Sequence, residues 1–152
     1  MRIVQVSPWF RPHIGGVETH VASISRELAR RGHDVTVITS RYDRSLPERE
    51  DWQGVRIVRL KTLRVMLRTP IAPATKRAIE SLHVDVVHAH SPPPLSAYYA
   101  AKASRRRGLP FVVTVLLVLL FAGCQFVSEG TAPFPSPEDP ETVAAPSGCA
   151  IV

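Results

Sequence analysis

Apolar positions switch from strand spacing to helix spacing and back within the first forty residues. Ile3, Val4 and Val6 form a short β-branched run, the pattern of a strand covered on both faces in a parallel sheet. From Val17 the period lengthens: Val17, Val21, Ile24 and Leu28 fall at i, i+4, i+7 and i+11, one stripe of a helix ending at Gly32. Asp34-Val-Thr-Val-Ile-Thr-Ser40 then reads as a second buried strand. Such a β-α-β unit implies a right-handed crossover between parallel strands.

Residues 41–54 are polar and without period, and read as a loop. Val55-Arg-Ile-Val-Arg-Leu60 supplies a third strand. Leu67, Ile71, Ala74, Ala78 and Leu82 share a helical stripe, with Pro70 and Pro73 near its start, where proline is tolerated. Asp85-Val-Val-His-Ala-His90 is a fourth strand, stopped by Ser91-Pro-Pro-Pro94. A helix over Leu95, Tyr98, Tyr99 and Lys102 to Arg106 ends at Gly108, and Phe111-Val-Val-Thr-Val115 begins a fifth strand. This succession predicts an α/β class, a Rossmann-like doubly wound parallel sheet over residues 1–115. Residues 116–124 continue the apolar run, and residues 125–152, with five prolines, read as a disordered tail.

Charge divides the chain at nearly the same place. All 19 Lys and Arg lie in residues 1–107 with 9 acids, a net +10, whereas residues 108–152 hold 4 acids and no base. The arginines are scattered without interleaved aromatics, which argues against a nucleic-acid partner. Most are expected on solvated helix faces and strand edges. The two cysteines, Cys124 and Cys149, both lie in the tail, so the first 123 residues suit a reducing cytosol. Met1-Arg2 leads directly into a strand, with no secretory signal. The expected location is cytoplasmic.

Gly15 and Gly16 stand where the chain reverses direction, immediately before a helix N-terminus. Two readings fit the pair: a tight βα turn, or a loop whose free N–H groups and positive dipole end accept a phosphate or carboxylate. No G-x-G-x-x-G follows the strand, so the loop is not a dinucleotide fingerprint. His88 and His90 alternate about Ala89 and share one face of their strand. His90, at the C-terminal end where open sheets bind ligands, is the better cleft residue; His88 reads as a satisfied core histidine. The pair lacks a third ligand, so no metal is assigned.

Three phrases, Pro12-His-Ile-Gly-Gly-Val-Glu-Thr-His20, Leu28-Ala-Arg-Arg-Gly-His-Asp-Val-Thr-Val37 and Asp85-Val-Val-His-Ala-His90, together resemble the N-terminal domain of the family-4, group 1 glycosyltransferases. The resemblance implies a GT-B architecture, two facing Rossmann-like domains of which the first binds the acceptor and the second the nucleotide-sugar donor. It implies retaining transfer without a metal ion and without a covalently bound cofactor, the nucleotide sugar serving as co-substrate. It sets Gly15 and Gly16 against the donor phosphates and the acceptor, and turns Glu18, His20 and His90 toward a sugar or lipid-linked acceptor. Glu18 as a compensator of the helix dipole and His20 as a surface imidazole remain alternatives.

Two departures bear on activity. Family members carry a histidine just after the fifth strand, where this chain has Val115-Leu116-Leu117, and the donor-binding domain with its glutamate pair has no counterpart in the 152 residues. The expectation is an acceptor-side half, truncated, frameshifted or fused after about residue 115, that is inactive without a donor domain as partner. A downstream reading frame restoring that domain would support this origin, and its absence from the flanking DNA would remove it.

The tail admits other readings. Arg105-Arg-Arg107 followed by an apolar run to Ala122-Gly-Cys124 has the layout of a lipoprotein signal, in the wrong place for one. The 15 residues from Leu109 to Gly123 fall short of the roughly 20 of a spanning helix, and Phe111 to Phe121 would also serve as one long buried strand. Cys149-Ala-Ile-Val152 matches a prenylation pattern by chance. The alternative function is a non-catalytic binding module, peripheral to the inner face of the plasma membrane and anchored by residues 109–124.

Overall fold

In the computed structural model, which describes residues 1–66, 69–91 and 94–115, the order is β1 (Arg2–Val6), α1 (Gly16–Arg30), β2 (Asp34–Arg41), β3 (Arg49–Trp52), β4 (Val55–Lys61), β5 (Arg64–Met66), β6 (Thr69–Ile71), α2 (Ala74–Ser81), β7 (Val86–Ser91), α3 (Pro94–Arg107) and β8 (Phe111–Val115). Six strands form a sheet in the order β3-β4-β2-β1-β7-β8. Every neighbouring pair is parallel except β3 with β4. The five expected strands correspond to β1, β2, β4, β7 and β8. They form the α/β Rossmann-like sheet that the alternating pattern implies.

Both faces of the sheet are covered, which is why its central strands read as unbroken apolar runs. On one face Val4, Val6 and Val87 pack with Ile79 of α2 and with Ala100 and Ala103 of α3. On the other, Val35, Val37, Val55 and Ile57 pack with Val21 and Ala22 of α1 and with Phe10 from the loop after β1. α1 closes with a Schellman pair of bonds: the Gly32 N–H donates to the Ala29 carbonyl at 2.9 Å and the His33 N–H to that of Leu28 at 3.1 Å. The chain leaves this helix directly into β2.

Two expectations are corrected. Residues 41–54 are not simply a loop, because they contain β3, which pairs antiparallel with β4 through a two-residue turn. Gln53 and Gly54 take φ of 49° and 77°, the left-handed pair of a type I′ hairpin, which glycine adopts without steric cost. β3 is an edge strand whose Arg49, Glu50 and Asp51 are exposed, so no apolar alternation announces it.

The helix expected from Leu67 onward begins only at Ala74. Residues 69–71 are instead the second strand of the β5–β6 hairpin, and Pro73 is the α2 N-cap. Proline disfavours helical backbone in the residue before it, so Thr69 and Ala72 are biased toward extended conformations. Leu67, the apolar segment 116–124, the tail 125–152 and both cysteines lie outside the described residues. Among the described residues no helix is long and apolar enough to cross a membrane.

Candidate active site

The chain turns from β1 to β2 and β4 on one side, then crosses back to β7 and β8 on the other. The crevice between the carboxyl ends of β1 and β7 is therefore the switch point at which open α/β sheets bind ligands. The loop after β1 is built into its rim. Its root is held by the Ser7 N–H, which donates to the Ile38 carbonyl at 3.1 Å, and by the Ser40 N–H, which donates to that of Pro8 at 3.3 Å.

Phe10 anchors the loop from within: it is buried and meets Trp52 edge-on at 6.0 Å. The Arg11 carbonyl accepts a bond of 2.9 Å from Arg59, itself buried on β4, and the Arg11 guanidinium lies 4.9 Å above the Trp52 ring. Farther out, Trp9 stacks on His13 at 5.3 Å, and Tyr42 from the end of β2 meets both rings edge-on. A hollow of about 170 Å³ opens beside the loop among Arg11, His13, Glu18, Arg26 and Trp52.

The two glycines at the α1 N-terminus have different surroundings. Gly15 is extended, and a Cβ there would collide with the carboxylate of Glu18, which folds back over it. Glu18 is buried, and its Oε1 lies 3.3 Å from Nδ1 of His13. Its charge thus already lies at the positive end of the helix. A Cβ on Gly16, by contrast, would meet no atom within 4 Å. The open approach to the helix end is on that side.

One turn farther along α1, half-buried His20 places its ring 5.6 Å from that of His90, edge-on. His88 and His90 share a face as their spacing requires, with ring centroids 4.3 Å apart. His88, half-buried, has Nε2 2.8 Å from the Thr114 hydroxyl of β8. His90 is fully buried, and its Nε2–H donates to Oε1 of Gln5 at 2.8 Å. Its Nδ1 has no partner among the described residues, nor has the amide nitrogen of Gln5.

Burial, with smaller contributions from His88 and His20, pushes the His90 pKa down to about 3. That of His88 is lowered too, first by burial and then by His20. Both rings are therefore neutral at pH 7. Among the described residues no group of three or more His, Cys, Asp or Glu side chains is placed to hold a metal ion.

The structure thus gathers the expected site residues into two clusters at one edge of the sheet, Gly15 with Glu18 and His20 with His90. Sequence reasoning missed Trp9, Tyr42, Gln5 and Arg59. Of these only Arg59 carried a readable signal, its phase with Val55 and Ile57 along β4.

A mainly parallel sheet with a glycine turn and a helix N-terminus at its switch point defines a Rossmann-like domain. The chain belongs to Glycosyltransferase Family 4, whose model matches residues 14–115. It is 30% identical over 119 residues to a phosphatidylinositol N-acetylglucosaminyltransferase subunit from Homo sapiens, an alignment covering 74% of this chain and 24% of that protein. To the GDP-mannose-dependent alpha-mannosyltransferase of Corynebacterium glutamicum it is 31% identical over 117 residues, 74% of this chain and 28% of the relative. The chain therefore spans about a quarter of the length of these relatives. In fold it is similar to the sucrose-phosphate synthase of Thermosynechococcus elongatus, with a TM-score of 0.55 at 20% identity over 75% of this chain and 32% of that one.

Proposed function

We propose that residues 1–115 are the acceptor-side half of a retaining, nucleotide-sugar-dependent glycosyltransferase that acts only opposite a donor-holding half. The observation that carries this reading is the open face of Gly16, at the N-terminus of α1 and beside the switch point of a family-4 fold. Sugar transfer through an oxocarbenium-like state leaves negative charge on the departing diphosphate, which N–H groups at a helix end stabilise. Because the Glu18 carboxylate lies over Gly15, the diphosphate approaches past Gly16.

Acceptor contacts follow from burial. His20 covers His90, so His20 meets the acceptor first, while His90 supports it from beneath with a neutral ring. Glu18 orients His13 at the rim. Neither a metal ion nor a resident cofactor is required, and the nucleotide sugar enters as a co-substrate from the cytoplasm.

This half contacts only the phosphates of the donor, leaving the base and most of the sugar to the other half. Calorimetric titration with nucleotide diphosphates and nucleotide sugars should accordingly find dissociation constants weaker than about 1 mM for the chain alone. Micromolar binding would instead identify a self-sufficient nucleotide-binding unit.

A further inference from the structure

Two basic grooves meet at Lys61, the last residue of β4, on the same sheet edge as the glycine loop. One, of about 670 Å³, is lined by Arg41, Tyr42, Arg44, Lys61, Thr62 and Arg64. The other, of about 650 Å³, lies between α2 and α3 among Lys61, Lys76, Arg77, Tyr99, Lys102 and Arg106. Each contains a single glutamate, and both are already engaged. Glu48 lies 2.9 Å from Arg41, and Glu80 lies 3.6 Å from Lys76 and 3.8 Å from Arg106.

Subtracting those pairs leaves Arg44, Lys61 and Arg64 in the first groove, and Arg77 and Lys102 in the second, with no carboxylate within ion-pair distance among the described residues. Unpaired like charges lining a concave surface concentrate a positive potential there. A group with several anionic oxygens relieves it best, since guanidinium forks match phosphate oxygens and Tyr42 adds a neutral hydroxyl. The first groove is lined by residues 41–48, at and after the end of β2, and by residues 61–65, from the end of β4 into β5.

We propose that the acceptor is a phosphate-bearing molecule whose anionic group seats at Lys61, between Arg44 and Arg64 on one side and Arg77 and Lys102 on the other. The proposal rests on the acceptor-side reading given above and adds the chemical class of the acceptor. Its phosphate belongs either to a small soluble ester or to a phospholipid headgroup.

The full chain is tested against both sources by direct binding. The soluble arm compares glucose 6-phosphate with glucose; the lipid arm compares phosphatidylcholine vesicles with and without phosphatidylinositol. The chain is expected to bind glucose 6-phosphate over glucose, or vesicles carrying anionic phosphatidylinositol over those of zwitterionic phosphatidylcholine alone. Lys61→Glu and Arg64→Glu should weaken that binding about tenfold or more, while Arg105→Glu, an exposed charge outside both grooves, changes it less than about twofold.

Binding of neither phosphorylated probe, equal binding of glucose and glucose 6-phosphate, or equal losses in all three variants would overturn the proposal. Circular dichroism confirms that each exposed substitution leaves the fold intact. Sugar transfer that is indifferent to Lys61→Glu would remove the phosphate-bearing acceptor and leave the glycosyltransferase reading standing. Lys61-dependent binding without transfer under any condition would do the reverse.

Discussion

Arg59→Met lowers the unfolding free energy by about 3 kcal/mol, because breaking a buried, multiply bonded cation strands its partners. Arg59 is 3% exposed, and its guanidinium lies 2.6 Å from the Glu50 carboxylate while donating to the carbonyls of Pro47 at 3.2 Å and Arg11 at 2.9 Å. Methionine fills the volume of the stem but satisfies none of these acceptors. The side chain also joins the segment before β3 to the rim of the candidate site, so its loss should release residues 9–14 along with the hairpin. Urea denaturation gives the energy, and faster hydrogen exchange at His13 and Ile14 reports the loop. A stability change below about 0.5 kcal/mol would show that the contact is ornamental.

Lowering the pH from 7 to 5 removes about 2 kcal/mol of stability through His90 alone. The sign follows from its environment. In the folded protein burial holds the pKa near 3, whereas in the unfolded chain the ordinary value of 6.5 applies. Between those values the unfolded state takes up a proton that the folded state refuses. The contribution is therefore intact above pH 6.5 and is lost as the pH falls toward 3. His88, lowered in the same direction, steepens the loss.

The carboxylates of Glu27 and Asp85, held down to about 2 by arginine partners from ordinary values of 4.5 and 3.8, lose their contribution below about pH 5 and so leave the comparison of pH 7 with pH 5 to the histidines. The gap between denaturant midpoints at pH 7 and 5 should narrow in His90→Asn, which keeps a polar group beside Gln5 and leaves His88 in place. An unchanged pH dependence in that variant would assign the effect elsewhere.

How far the sequence foretold this arrangement depended on what each side chain faces. β1, α1 and β2 were legible because both faces of the strands and one stripe of the helix are buried, and burial writes period into sequence. β3 was not, since an edge strand of Arg, Glu and Asp resembles a loop until its Gln-Gly turn is recognised. The false start at Leu67 had the opposite cause: an apolar stripe was followed through Pro70 and Pro73 although residues preceding proline resist helix.

The site was legible in its parts but not in its depth. Gly15, Gly16 and Glu18 are close in sequence, so a turn and a helix start place them together. The packing of His20 over His90 joins residues 70 apart, and the contact of Trp9 with Tyr42 joins the segments that follow β1 and β2. No local pattern encodes either. The expectation of solvated arginines holds for Arg30 and Arg31, on an exposed face beside Glu27, and fails at Arg59, whose in-phase position among Val55 and Ile57 was the warning.

The most direct measurement is transfer of a labelled sugar from a nucleotide donor to a phosphorylated acceptor, by this chain alone and with the donor half of a family-4 enzyme supplied in trans. No product from either half alone, and product from the two together, is the predicted result. Product from this chain by itself, or none from the mixture while the donor half binds its nucleotide sugar normally, would contradict it.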